Sequence, residues 1–200
     1  MQVICSDLEG VWVPEVWINV AAKTGIDKLK LTTRDIKDYN ELMTYRLKVL
    51  EEEGLTLRDI QEVIATIKPY EGAVEMIKWL QSRTRFVLVS DTFQEFAEPL
   101  MRQLDYPTLL CHSLEVDEKS RIIDYKLRQP DAKRETVKAF HHLKYEVVAF
   151  GDSYNDSGML QEADKAFWFM PPQNVIDDFP QFPVARNYDE MKRILIDMGV

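Results

Sequence analysis

The chain is poor in the residues that build cross-links, metal ribbons, linkers and membrane spans. Of its 200 residues only two are cysteines, Cys5 and Cys111, and neither belongs to a CxxC pair. That excludes a zinc ribbon and a dithiol redox motif, argues against a disulfide framework, and points to a reducing compartment. Seven Gly and nine Pro are too few for a linker-rich or collagen-like protein. No uninterrupted apolar run approaches the ~18 residues that suggest a bilayer-spanning helix. The opening residues, MQVICSDLEG, lack the basic stretch and apolar segment of a secretory leader, so a cytoplasmic protein is expected. Basic residues are in deficit as well, 25 against 34 acidic, for a net charge of −9. A surface of that sign repels phosphate backbones, which argues against nucleic-acid binding through a broad basic face. One local site can still hold a small anion.

What is present is an ordinary globular composition, 46% apolar and 30% charged. A chain of this length buries roughly 70% of the surface its unfolded form exposes, enough for one domain with a sub-domain inserted. Four short apolar runs read as strands: Val3 to Cys5, Phe86 to Val89, Val147 to Phe150 and Ala166 to Met170. They are continuously apolar and not alternating, which suits a parallel sheet covered on both faces. Helical spacing follows over 71–82, with Val74, Ile77, Trp79 and Leu80 on one stripe, and over 93–104, 132–143, 154–163 and 189–198. Alternating strands and helices predict a doubly wound α/β fold. Two segments interrupt it. Between the first strand and residue 71 lie helical patterns alone, over 14–24, 40–53 and 56–67, with Gly25 and Gly54 as stops and Thr56 as an N-cap. Residues 114–117 and 121–125 flank a polar turn and predict a hairpin.

Ligands of open α/β sheets bind beyond the carboxyl ends of the strands. Three strand ends carry acids or hydroxyls: Asp7 and Glu9, Ser90 and Asp91, Asp152 and Asp156. Asp152 alone would read equally well as a helix cap; the three together, with Lys133, suggest chemistry. Carboxylates from two strand ends suit Mg²⁺. An Asp beside such a metal can be a covalent nucleophile, and an acid two residues on, Glu9, returns to the same side of an extended chain.

These residues resemble the haloacid dehalogenase superfamily. Asp7-Leu8-Glu9-Gly10-Val11 is similar to its first motif, DxDGT/V, and Leu88-Val89-Ser90-Asp91-Thr92 to its second. Lys133, 19 residues before Asp152, suits the third, where Lys138 and Lys144 are the alternatives; Gly151-Asp152-Ser153-Tyr154-Asn155-Asp156 matches the fourth, GDxxND. The resemblance covers essentially the whole chain. It implies a Rossmann-like core, residues 1–13 and 71–200, and a C1-type helical cap, residues 14–70. It implies Asp7 as nucleophile, Glu9 as general acid/base with its carbonyl on Mg²⁺, Ser90 on a phosphate oxygen and Lys133 between nucleophile and phosphate. Asp152 would ligate Mg²⁺, Asp156 would hold the metal's waters, and Asn155 would orient the phosphate or Lys133. Asp91 and Thr92, where glycines often follow motif two, would line the phosphate pocket. Glu9 departs from the usual Asp.

Within the family the chain is most similar to phosphoserine phosphatases. Glu15, eight residues after Asp7, would bind the substrate amine and Arg46 its carboxylate. The stretches DLEGVxVPExW and SDTFxEFxxPLMRQL resemble the bifunctional ThrH-type branch, which also passes the phosphoryl group to homoserine. O-phospho-L-serine is then the expected substrate, homoserine an acceptor and a homodimer an allowed assembly. A phosphatase for another small phosphomonoester and a non-catalytic binding protein remain the alternatives. His112 reads as structural, and Trp12 and Trp17 either close the pocket or pack at the domain junction.

Overall fold

The structure is a computed structural model that describes every residue except 33, 34 and 37. Its centre is β1 (Gln2–Ser6), flanked in parallel by β2 (Arg85–Phe93) and β5 (Glu146–Gly151). Outward lie β3 (Thr108–Val116) and antiparallel β4 (Ile122–Lys126) on one side, β6 (Lys165–Phe169) and β7 (Val184–Ala185) on the other. The order β4-β3-β2-β1-β5-β6-β7 makes one seven-stranded sheet.

The continuous apolar runs are explained by what covers the sheet. Val3, Cys5, Val147, Ala149 and Trp168 face Val137 of α6 (Ala132–His142), Met159 and Leu160 of α7 (Ser157–Glu162) and Val175 of α8 (Gln173–Asp178). Their neighbours Ile4, Leu88, Val148, Phe150, Phe167 and Phe169 join the core on the opposite face, with α4 (Ala73–Gln81), α5 (Gln94–Gln103) and α9 (Tyr188–Asp197). Successive strand residues point to opposite faces, so a strand buried on both cannot alternate.

Several boundaries differ from the sequence reading. Ala73, Met76, Ile77 and Leu80 are the buried stripe of α4, an i, i+3, i+4, i+7 set; Val74 and Trp79 flank it half-buried. The hairpin's first strand is the end of a nine-residue strand whose beginning pairs with β2. The helix expected over 154–163 is a 3₁₀ turn, Tyr154–Asp156, followed by α7. Strand β7 and helix α8 are too short to announce themselves in the sequence.

In residues 14–70 the described regular elements are helical: α1 (Val16–Thr24), a 3₁₀ turn at Asp27–Lys30, α2 (Tyr39–Glu52) and α3 (Leu57–Ile64). Gly25 ends α1 at φ 75°, and Gly54, at φ 67°, follows α2. Thr56 and Asp59 form a reciprocal capping box on α3. The two connections into this segment run side by side, the Tyr70 N–H donating to the Trp12 carbonyl at 2.9 Å. Trp12 is fully buried against Phe86, Phe150 and Tyr188 and donates to Ser6 Oγ, so it packs at the junction and lines no pocket.

Candidate active site

Strand β1 continues one residue further, the Asp7 N–H donating to the Phe150 carbonyl at 3.1 Å. This sets Asp7 at the carboxyl edge beside the end of β5. Its Oδ1 accepts the Leu8 N–H at 2.7 Å. Gly10, at φ +75°, lets the chain turn back against the neighbouring loop; a Cβ there would lie 2.4 Å from Asp152 Cγ. At the end of β5, a Cβ on Gly151 would lie 2.2 Å from Asp156 Cγ. Asp156 is fully buried, and its Oδ2 accepts the N–H groups of Asp152 and Ser153 at 2.9 and 3.1 Å. Both glycines are thus required by carboxylates that pack on them.

Helix α6 delivers Lys133 from above. It is buried, with Nζ 2.6 Å from Asp156 Oδ1, 3.0 Å from Asp7 Oδ2 and 3.6 Å from Asp91 Oδ2. Burial works against its charge, but the three carboxylates outweigh it and hold the ammonium protonated well above the usual lysine range. One cation does not balance the cluster. Asp7 is pushed well above the ordinary carboxyl value by burial and by Asp156, with Lys133 opposing. Asp152 is pushed up to about 7 by burial, Asp156 and Glu15. Asp7, Asp152 and Asp156 each offer an oxygen within 4.8 Å of the others. Surplus negative charge on three convergent oxygen ligands fits a hard divalent cation, so these residues could hold a metal ion. The Glu9 carboxylate is not part of this trio. Lys138 pairs with surface Glu135 and Lys144 is exposed, so neither competes with Lys133.

At the end of β2, buried Ser90 accepts the N–H of buried Thr92 on its Oγ at 3.2 Å. Asp91 turns toward Lys133. Its Oδ2 accepts from Asn155 Nδ2 at 3.1 Å, and its carbonyl accepts the Tyr39 hydroxyl of α2 at 3.1 Å. Asn155, expected to orient the phosphate or Lys133, thus donates to an acid that itself faces Lys133. The sequence matches the haloacid dehalogenase-like hydrolase family over residues 2–164.

The chain belongs to that family.

Among relatives of this haloacid dehalogenase-like chain, phosphoserine phosphatase ThrH of Pseudomonas aeruginosa is 59% identical over 193 residues, 96% of this chain and 94% of that protein. A phosphoserine phosphatase of Pseudomonas syringae pv. tomato is 56% identical over 196 residues, 98% of this chain and 83% of that protein. An apo phosphoserine phosphatase structure matches with TM-score 0.79 at 20% identity, over 96% of this chain and 98% of that one. A phospho-aspartyl intermediate analogue of phosphoserine phosphatase gives 0.78, again at 20% identity, over 96% and 98%. Likenesses at that identity show a shared fold.

On the helical side of this haloacid dehalogenase-like site, Glu9 turns toward α1, its Oε2 accepting the Val16 N–H at 2.7 Å. Glu15 lies close enough for its charge to act on Glu9. Burial first and Glu15 second push Glu9 up to about 8, against the Val16 N–H and Arg46. Glu15 precedes the first turn of α1 and is exposed, so it lies outside the helix expected for it. Arg46 is 6% exposed, its guanidinium 4.5 Å from the Trp17 ring centroid and Nη2 donating to the Leu31 carbonyl at 2.8 Å. Burial lowers it to about 10, opposed by Tyr39, Glu9 and Glu15, so it remains charged near neutrality. Its Nε has no hydrogen-bond partner among the described residues. Trp17 therefore carries the arginine and also packs edge-on against Phe96. The sequence reading missed Tyr39 and gave His112 no part beside Asp91. Neither carries a motif: each gains its place from an acid far away in the chain.

Proposed function

We propose that this chain is a Mg²⁺-dependent phosphoserine phosphatase working through an aspartyl phosphate on Asp7. The observation that carries the reading is a pair of facing charge sets. On the sheet side, Asp7 and Lys133 touch beside an acidic corner suited to a cation. On the helical side is a buried arginine whose Nε–H has no partner among the described residues, close to Glu9 and Glu15. A phosphate ester carrying both an amine and a carboxylate matches the two sets. The names of the two similar Pseudomonas proteins support the same substrate.

Asp152 and Asp156, with Asp7, would hold Mg²⁺, and the Glu9 carbonyl would join them. Bound there, the ion would offset charge on the phosphate oxygens. The chain's own residues do the rest. Ser90 and Lys133 hold the phosphoryl oxygens, while Asp91, Thr92 and Asn155 shape the pocket around them. Arg46 holds the substrate carboxylate and Glu15 its amine. An Asp7 oxygen attacks phosphorus, the bond to the serine oxygen breaks, and Glu9, protonated near neutrality, gives that oxygen its proton. Glu9 then takes a proton from water, which attacks phosphorus and frees Asp7. Homoserine entering in place of water would receive the phosphoryl group on its hydroxyl. Residues 14–70 form a cap over a core of 1–13 and 71–200, and its closure excludes bulk water. A cytoplasmic homodimer fits such an enzyme.

The test is phosphate release from O-phospho-L-serine with Mg²⁺, with and without homoserine, in wild type, Asp7→Asn and Arg46→Ala. Asp7→Asn should be silent. Arg46→Ala should lose KM for phosphoserine while turnover of p-nitrophenyl phosphate survives. Release from p-nitrophenyl phosphate alone would remove the assigned substrate, and silence on both esters would remove the enzyme. Diversion of phosphate into phosphohomoserine would establish the transferase.

A further inference from the structure

Asp91 is an acid placed where it needs support. It adjoins Ser90 at the end of β2, where a fourth carboxylate, after Asp7, Asp152 and Asp156, crowds the pocket meant for an anion. Its charge is nonetheless fixed. Burial pushes it upward, but Lys133, His112 and Asn155 outweigh that and keep the carboxyl well below its ordinary range. The least expected of these partners is His112 of β3, which is 5% exposed. Its Nδ1 accepts the backbone N–H of Arg128 at 3.1 Å. An Nδ1 lone pair used in this way leaves the ring proton on Nε2. That nitrogen lies 3.5 Å from Asp91 Oδ1. The other Asp91 oxygen receives Asn155 and faces Lys133. Phe93 and Tyr39 pack around the imidazole and fix its plane.

We propose that His112 is a positioning residue for phosphoryl transfer: through Asp91 it holds the Lys133 ammonium at Asp7. The backbone of Arg128 sets the ring, the ring sets Asp91, and Asp91 supplies the third side of the carboxylate cradle around Lys133. Without the imidazole, Asp91 is free to turn toward solvent, and Lys133 can shift toward Asp156, its nearest partner. The inference rests on the phosphoryl-transfer reading above but not on the identity of the substrate.

Two variants separate positioning from packing. His112→Asn sets a carbonyl where Nδ1 was, so the Arg128 bond survives and the donor to Asp91 is lost. His112→Gln restores an N–H at the reach of Nε2. In His112→Asn, kcat should fall roughly tenfold to a hundredfold, the usual cost of losing an outer partner of an active-site group, with KM little changed. His112→Gln, which keeps the donor but gives up the Arg128 bond, should recover part of that loss. The fall should be equal on O-phospho-L-serine and p-nitrophenyl phosphate, because Lys133 acts at the phosphoryl end that both share. Equal kcat losses in the two variants, a loss confined to KM, or wild-type kcat in His112→Asn would each overturn the proposal. Wild type active only on p-nitrophenyl phosphate removes the substrate assigned above and leaves this inference standing if the kcat pattern holds. Wild type silent on both esters removes both.

Discussion

Replacing Lys133 with Met keeps the length of the side chain and removes its charge. The ammonium is 3% exposed and serves Asp156, Asp7 and Asp91 at 2.6, 3.0 and 3.6 Å. Its loss leaves Asp156 Oδ1 and Asp7 Oδ2 buried without their cation. Breaking a buried ion pair from one side costs about 3–5 kcal/mol, a drop in Tm of roughly 6–20 °C for a chain of this size. The pH dependence has a definite sign. In wild type the lysine is held protonated above its ordinary value, so its stabilisation is constant across the acid and neutral range and is lost only in alkali. In Lys133→Met the Asp7 carboxyl, already raised, rises further and binds a proton in the folded state that the unfolded chain releases. Stability of the variant then falls as pH rises. The gap between wild type and variant should therefore widen between a mildly acidic and a mildly alkaline pH. Urea unfolding followed by circular dichroism, in EDTA at both pH values, measures it. Lys138→Met, which breaks only the surface pair with Glu135, should stay within about 0.5 kcal/mol of wild type. Turnover of Lys133→Met with Mg²⁺ should fall by roughly 10²–10³. A variant as stable as wild type at the higher pH, or a gap that does not change with pH, would refute the charge balance described for this site.

Three other outcomes are expected. EDTA should abolish turnover, and Mg²⁺ returned to the stripped protein should raise Tm more above than below about pH 7, because protons compete for Asp152; a pH-independent shift in differential scanning fluorimetry counts against that ligand. Gly10→Ala and Gly25→Ala share φ +75°, but only at Gly10 does the new Cβ meet Asp152. Gly25→Ala should cost about 1 kcal/mol of backbone strain, whereas Gly10→Ala should lose more Tm and also the Mg²⁺-dependent rise; equal effects would show that the close approach is unimportant. Thr56→Ala removes the hydroxyl of the α3 capping box and should cost about 1 kcal/mol in urea unfolding, with kcat unchanged; a lost kcat would mean that the α3 cap reaches the site.

Local rules make much of this molecule legible in its sequence. Apolar runs of strand length with acids at their ends specified a covered parallel sheet and the places where chemistry would collect. Gly25, Gly54 and Thr56 marked helix ends because stops and caps depend on a few adjacent residues. Residues spaced as Asp7, Lys133, Asp152 and Asp156 are could be matched to motifs, but their contacts could not be read. Those arise because β1 lies between β2 and β5 while α6 crosses above them. Burial and through-space charge then decided the rest. They set Glu9 toward α1 and not in the acidic trio, and brought Asn155, Tyr39 and His112 to the same acid from three distant segments. Periodicity and turn chemistry are properties of neighbours along the chain, so the sequence determined the elements. The state of a buried charge depends on every group within a few ångströms, so only the tertiary structure could decide which acids keep their protons and which cation holds them together.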